Sequence, residues 1–177
     1  DYMESIQKVV NEVLEGVDIT SFSVYGFIQH LALLRDRRIR IFYIEITDVE
    51  TYGAYIRFRD CDCIFIDRRG AIILQEHTLL HELGHIVLGH PTLFVPRNIA
   101  TIEQSALESP RVFGGLLNNK LILNRNDHNR NGQEESAEEF AIRFQKTVVN
   151  RAKKLELTAR VTTLPEWLSS AVGLGID

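Results

Sequence analysis

The stretch Leu79-Leu80-His81-Glu82-Leu83-Gly84-His85-Ile86-Val87-Leu88-Gly89-His90 decides how the rest of the chain is read. Its apolar residues recur at helical spacing, and the pattern extends back to Ile72, so a helix is predicted over 72–88. Gly89 suits the position just past a helix end, and Pro91 cannot continue one. On such a helix His81 and His85 lie one turn apart on one face, so two imidazoles can reach one tetrahedral metal. Glu82 is rotated by about 100° from His81. It can flank the metal and take a proton from an attacking water without itself being a ligand. That pairing of metal and carboxylate is what metal-assisted hydrolysis needs. Gly84 costs a helix about 1 kcal/mol against Ala. A glycine there implies a gap in the side-chain layer that admits a close neighbour, for which a substrate strand is one candidate.

A catalytic metal site of this kind wants a third protein ligand and an open position. The candidates lie in Gln133-Glu134-Glu135-Ser136-Ala137-Glu138-Glu139-Phe140-Ala141. Phe140, Ala141, Phe144 and Val148 mark the buried stripe of a long helix predicted over 133–157. Glu134 lies on the edge of that stripe, where a carboxylate is costly unless paired or bound to metal. Glu134 is therefore the leading candidate for third ligand and Glu135 the next. Glu138, one turn on from Glu134, could accept the other ring N–H of a ligand histidine. The plainer alternative is an acidic cluster that opens a helix, where negative charge is favourable. Of the other histidines, His77 precedes His81 by one turn and could shape the pocket, although a surface place is expected. His90 reads as structural or superficial. His128 sits in a polar, asparagine-rich loop and reads as solvated.

The sequence outside these two helices has the make-up of one folded domain. The chain has 177 residues, 45% hydrophobic and 25% charged, enough for a single core. Two amphipathic helices are expected within 1–38, with Gly16 closing the first and Thr20 or Ser21 capping the second. Strands rich in β-branched and aromatic residues follow in 39–67. There Tyr52–Arg59 and Asp62–Asp67 read as a hairpin, and Arg57 and Arg59 alternate with apolar residues as on a strand with one wet face. The small sheet is expected to be mostly antiparallel. Residues 92–132 read as an insertion, helical near 98–108, that could serve as a lid or a recognition element. A tail covers 158–177, with a short helix opening at Pro165.

The net charge of −4 argues against direct nucleic-acid binding. The basic run Arg35-Asp36-Arg37-Arg38-Ile39-Arg40 reads as a solvated helix end. Cys61 and Cys63 are the only cysteines, and as strand neighbours they share a face. No further cysteine completes a thiolate metal site, so free thiols in a reducing cytoplasm are expected. No apolar run approaches membrane-spanning length, and no secretory leader is evident. Residue 1 is Asp rather than Met, so an upstream segment could precede it.

The stretch His81–His90 and the later Glu134-x-x-Ala137-x-x-Phe140-Ala141 together resemble the ImmA/IrrE family of metallopeptidases. The likeness spans roughly residues 40–145 and is specific in those two motifs. It implies an α+β, zincin-like single domain, with the small sheet packed against the metal-binding helix and a second helix carrying a glutamate. It maps His81, His85 and Glu134 to the metal ligands, Glu82 to the general base, and Glu138 to a position where the family type has a shorter Asp or Asn. It further implies Zn2+ as cofactor, with Mn2+ or another divalent ion as alternatives. The implied substrate is a DNA-binding repressor of the helix-turn-helix kind, cut to release stress, prophage or mobile-element genes. A non-catalytic antirepressor or a toxin–antitoxin component could use the same fold. Glu82 favours the peptidase, since a purely structural site has no use for it.

Overall fold

The computed structural model describes residues 2–46, 52–108 and 130–155. Helix α1 (Tyr2–Val13) is followed by a 3-10 turn (Ile19–Ser21) and helix α2 (Val24–Leu34). Strands β1 (Arg38–Ile44), β2 (Gly53–Phe58) and β3 (Cys61–Asp67) come next. Helix α3 (Ile72–Val87), strand β4 (Leu93–Val95), helix α4 (Ile99–Glu108) and helix α5 (Arg130–Lys154) complete the order. The described residues thus form a mixed α+β structure with one open four-stranded sheet and five helices. None of these helices is long and apolar enough to cross a membrane.

Ser23, rather than Thr20 or Ser21, caps α2, its Oγ accepting from Gly26 N at 3.0 Å. Thr20 and Ser21 instead belong to the 3-10 turn, where Asp18 accepts from both.

The sheet runs β1-β3-β2-β4. The expected hairpin is present: β2 pairs antiparallel with β3 from Gly53↔Ile66 to Arg57↔Asp62. The other two ladders, β1 with β3 and β2 with β4, are parallel, so the sheet is mixed rather than mostly antiparallel. The physical cause is where the hairpin lands. Its second strand inserts beside β1, so β1 pairs with β3 and not with the strand that follows it in sequence. Alternation along a strand identifies its faces and carries no information about its partner. β4 was hidden in the presumed insertion because three residues are too few to show a period.

Every residue of β3 is buried, because both faces of this central strand are covered. Ile64 and Ile66 join the main core with Leu79, Leu80 and Leu83 of α3, Phe140 and Phe144 of α5, and apolar residues of α1 and α2. On the other face Cys61, Cys63 and Phe65 pack with Ile56, Phe58, Val95 and Ile99. Both thiols are free and buried, with their Sγ atoms 3.4 Å apart.

Asp62, on the main-core face of β3, is 0% exposed in its side chain. It accepts from Arg35 Nη1 at 2.9 Å, Arg37 Nε at 2.7 Å and Arg57 Nε at 3.1 Å. Arg38 pairs with Asp60 at 2.6 Å and Arg40 with Glu103 at 2.5 Å. Arg35 and Arg37 are therefore tied down by a buried carboxylate at least 25 residues further along, while Arg38 and Arg40 pair with carboxylates and stay exposed, as expected of a solvated run. The arginine at position 57 makes an ion pair with Asp62 while remaining half-exposed.

Candidate metal centre

Helices α3 and α5 meet at Gly84. A Cβ built on Gly84 would lie 3.0 Å from Ala137 O, 3.1 Å from Ala137 Cα and 3.2 Å from Phe140 Cδ1. The close neighbour implied by this glycine is thus helix α5, not a substrate strand. Two of the three atoms are backbone and cannot swing aside, so the glycine sets how near the helices come. His81 and His85 flank Gly84 on one helix, and Glu134 and Glu138 flank Ala137 on the other. The helices run in opposite senses, since His85 faces Glu134 while His77 faces Glu138.

Close approach brings the polar side chains together in one row. His81 Nε2 lies 3.1 Å from Glu134 Oε2 and 3.1 Å from His85 Nε2, and His85 Nε2 lies 3.6 Å from Glu134 Oε2. His81, His85 and Glu134 form a group that could hold a metal ion. The geometry fits one: ligand bonds of 2.0–2.1 Å in a tetrahedron put neighbouring donor atoms about 3.3 Å apart. The three separations bracket that value. Of the two glutamates left open as third ligand, Glu134 joins the group, while Glu135 is exposed.

The outer atoms of the two histidines are also engaged. His81 Nδ1 donates to Glu138 Oε2 at 3.3 Å, the contact expected of Glu138. His77 Nε2 donates to both oxygens of the same carboxylate at 3.1 Å. His77 is therefore partly buried beside the centre and holds Glu138 in place, which differs from the surface position expected for it. At the other end, His85 Nδ1 and His90 Nδ1 are 2.9 Å apart, and His90 Nε2 is 3.2 Å from Ser136 Oγ. The involvement of His90 and Ser136 was not foreseen from sequence. A histidine following a helix-stopping glycine was the available signal. His128 lies outside the described residues.

Burial pushes the His81 pKa down, but the hydrogen bond with Glu134, the charges of Glu82 and Glu134 and the hydrogen bond with Glu138 outweigh it, and the net shift is upward. A metal held there would have to displace that proton, so its binding would weaken as the pH falls. His90 moves the other way, to about 4, through burial first and then the neighbouring His85 and His81. It is neutral near pH 7.

Glu82 is buried, at 8% exposure, on the same helix. Its Oε1 comes within 3.2 Å of where a Cβ on Gly53 would stand, and Thr78 Cγ2 crowds that position more closely still. The missing side chain at the start of β2 therefore leaves room for the Glu82 carboxylate between strand and helix. Among the described residues the two cysteines take no part in any metal-holding group.

Comparison with family models, with curated proteins and with solved structures finds no match to this chain.

Proposed function

We propose that the chain is a metal-dependent endopeptidase of the ImmA/IrrE type, acting in the cytoplasm on a helix-turn-helix repressor. The observation that carries this reading is the convergence of His81 Nε2, His85 Nε2 and Glu134 Oε2 at tetrahedral spacing, with a buried carboxylate next in sequence. Zinc is the first choice of ion and manganese the next, because two imidazoles and a carboxylate suit both. When bound, such an ion polarises a peptide carbonyl and makes water a stronger acid.

The chain's own groups then have separate tasks. His81, His85 and Glu134 hold the ion. Glu138, itself held by His77, keeps His81 in the tautomer that leaves Nε2 free. Glu82 accepts the proton of the attacking water and passes it to the leaving nitrogen as the peptide bond breaks. The missing side chain at Gly53 leaves room for that carboxylate between β2 and α3. The zincin-like arrangement is supported by the pairing of α3 with α5 beside the sheet. The buried free thiols accord with a reducing compartment.

The test is incubation of the purified protein with a helix-turn-helix repressor, with and without a chelator. Discrete repressor fragments are expected, lost with the chelator and restored by added zinc or manganese. Release of intact repressor from its DNA, unaffected by the chelator, would instead establish a non-catalytic antirepressor.

A further inference from the structure

Helix α3 ends in a turn that folds the chain back on itself. His90 N–H donates to His85 O at 3.0 Å, and Gly89 N–H donates to Ile86 O at 3.3 Å. Gly89 has φ of 68°, the left-handed conformation this pair of bonds requires. In such a turn the residue after the glycine returns over the residue five before it, a contact most often made by two apolar side chains. Here the two residues are His90 and His85, and the contact is between ring nitrogens, Nδ1 to Nδ1 at 2.9 Å.

Protons can be assigned along this contact in one consistent way. A metal on His85 Nε2 leaves the proton of a neutral ring on Nδ1, which then donates to His90 Nδ1. His90 must carry its own proton on Nε2, which donates to Ser136 Oγ at 3.2 Å. Ser136 Oγ–H in turn donates to the Gly132 carbonyl at 2.8 Å or the Gln133 carbonyl at 3.0 Å. Each donor meets one acceptor and the run ends on a backbone carbonyl, which needs no further proton. Ser136 stands on α5, two residues from Glu134, so the third ligand and this anchor move together.

We infer that His90, anchored by Ser136, is a positioning residue that fixes the tautomer and ring orientation of His85 for metal binding. It matches at His85 what Glu138 does at His81, with a neutral acceptor in place of a charged one. A carboxylate on each ligand histidine would add negative charge to a centre that already holds Glu134 and Glu82. The inference rests on the metal-centre reading above.

The test is zinc affinity of the full chain, measured by competition with a chelator, alongside thermal unfolding of the metal-free protein. His90→Ala is expected to weaken zinc binding by about 10–100-fold, and Ser136→Ala by less, in the range typical for groups that orient metal ligands. His90→Asn puts an acceptor oxygen close to the place of Nδ1 and is expected to bind within about threefold of wild type, because the orienting hydrogen bond is kept. Equal affinity of wild type and His90→Ala overturns the inference. So does a His90→Asn protein as weak as His90→Ala while its metal-free unfolding temperature is unchanged, since the ring then acts by filling space. Should His90→Ala fail to fold, the comparison of His90→Asn and Ser136→Ala with wild type decides by the same criteria. A wild-type protein that binds no zinc removes the metal reading itself, a result distinct from either of these.

Discussion

Alanine at Asp62 is expected to lower folding stability by about 3 kcal/mol, the low end of what removing one partner of a buried ion pair costs. The carboxylate is wholly buried and receives three guanidinium groups, from Arg35, Arg37 and Arg57. Without it three guanidinium groups lose the carboxylate they share at the end of β3. The arginines retain some contact with water, at 24%, 24% and 44% exposure, which is why the low end applies. Marginal stability makes such a loss a large fraction of the whole. The measurement is urea unfolding at pH 7. If Asp62→Ala does not fold, Asp62→Asn, which keeps one acceptor oxygen, is expected to fall between it and wild type. A loss under about 1 kcal/mol, the range of exposed pairs, would show the cluster to be incidental.

The same group gives a pH dependence with a definite sign. Burial pushes the Asp62 pKa up, but hydrogen bonds from Arg37, Arg57 and Arg35 outweigh it, and the net shift is downward. A carboxyl with a depressed folded-state pKa stabilises fully above its unfolded value, about 3.9. That stability is lost as the pH falls through the lower folded value. The Asp62→Ala protein should lack this part of the acid destabilisation, having lost the contribution at every pH.

Glutamine at Glu82 is expected to slow repressor cleavage by about 10²–10⁴-fold, the usual worth of a positioned general base. The carboxamide fits the same space beside Gly53 but cannot take a proton. Because Glu82 is outside the ligand group, metal content should stay as in wild type. Cleavage within tenfold of wild type would remove Glu82 as base. Unchanged derepression by a Glu82→Gln protein that cuts nothing would favour displacement of the repressor over its hydrolysis.

Local features of this fold could be read from sequence, and pairings across the chain could not. Helix α3 announced both its period and its end, through the apolar residues around His81 and the Gly89-His90-Pro91 stop, and it spans Ile72–Val87 as expected within a residue. The β2–β3 hairpin was legible because its strands are joined by a short turn. The grouping of His81, His85 and Glu134 was legible as one that could hold a metal ion, because metal chemistry restricts residue type and spacing on a helix. The parallel ladders were not, since a strand's alternation names no partner. Arg35 and Arg37 looked solvated because Asp62 is 27 and 25 residues away in sequence. His77 meets its partner 61 residues on, and His90 reaches His85 only through a left-handed glycine. Gly84 marks a gap in the side-chain layer, but a missing Cβ does not say which neighbour fills the space, and here it is α5 and not a substrate strand.

The central claim is that His81, His85 and Glu134 together hold one metal ion. It is tested most directly by elemental analysis of purified wild type beside His81→Ala and Glu134→Ala, each folded and dialysed against the same metal. Close to one divalent ion per chain is predicted in wild type and little or none in either variant. Metal content that survived both substitutions would contradict the assignment of the centre to these residues.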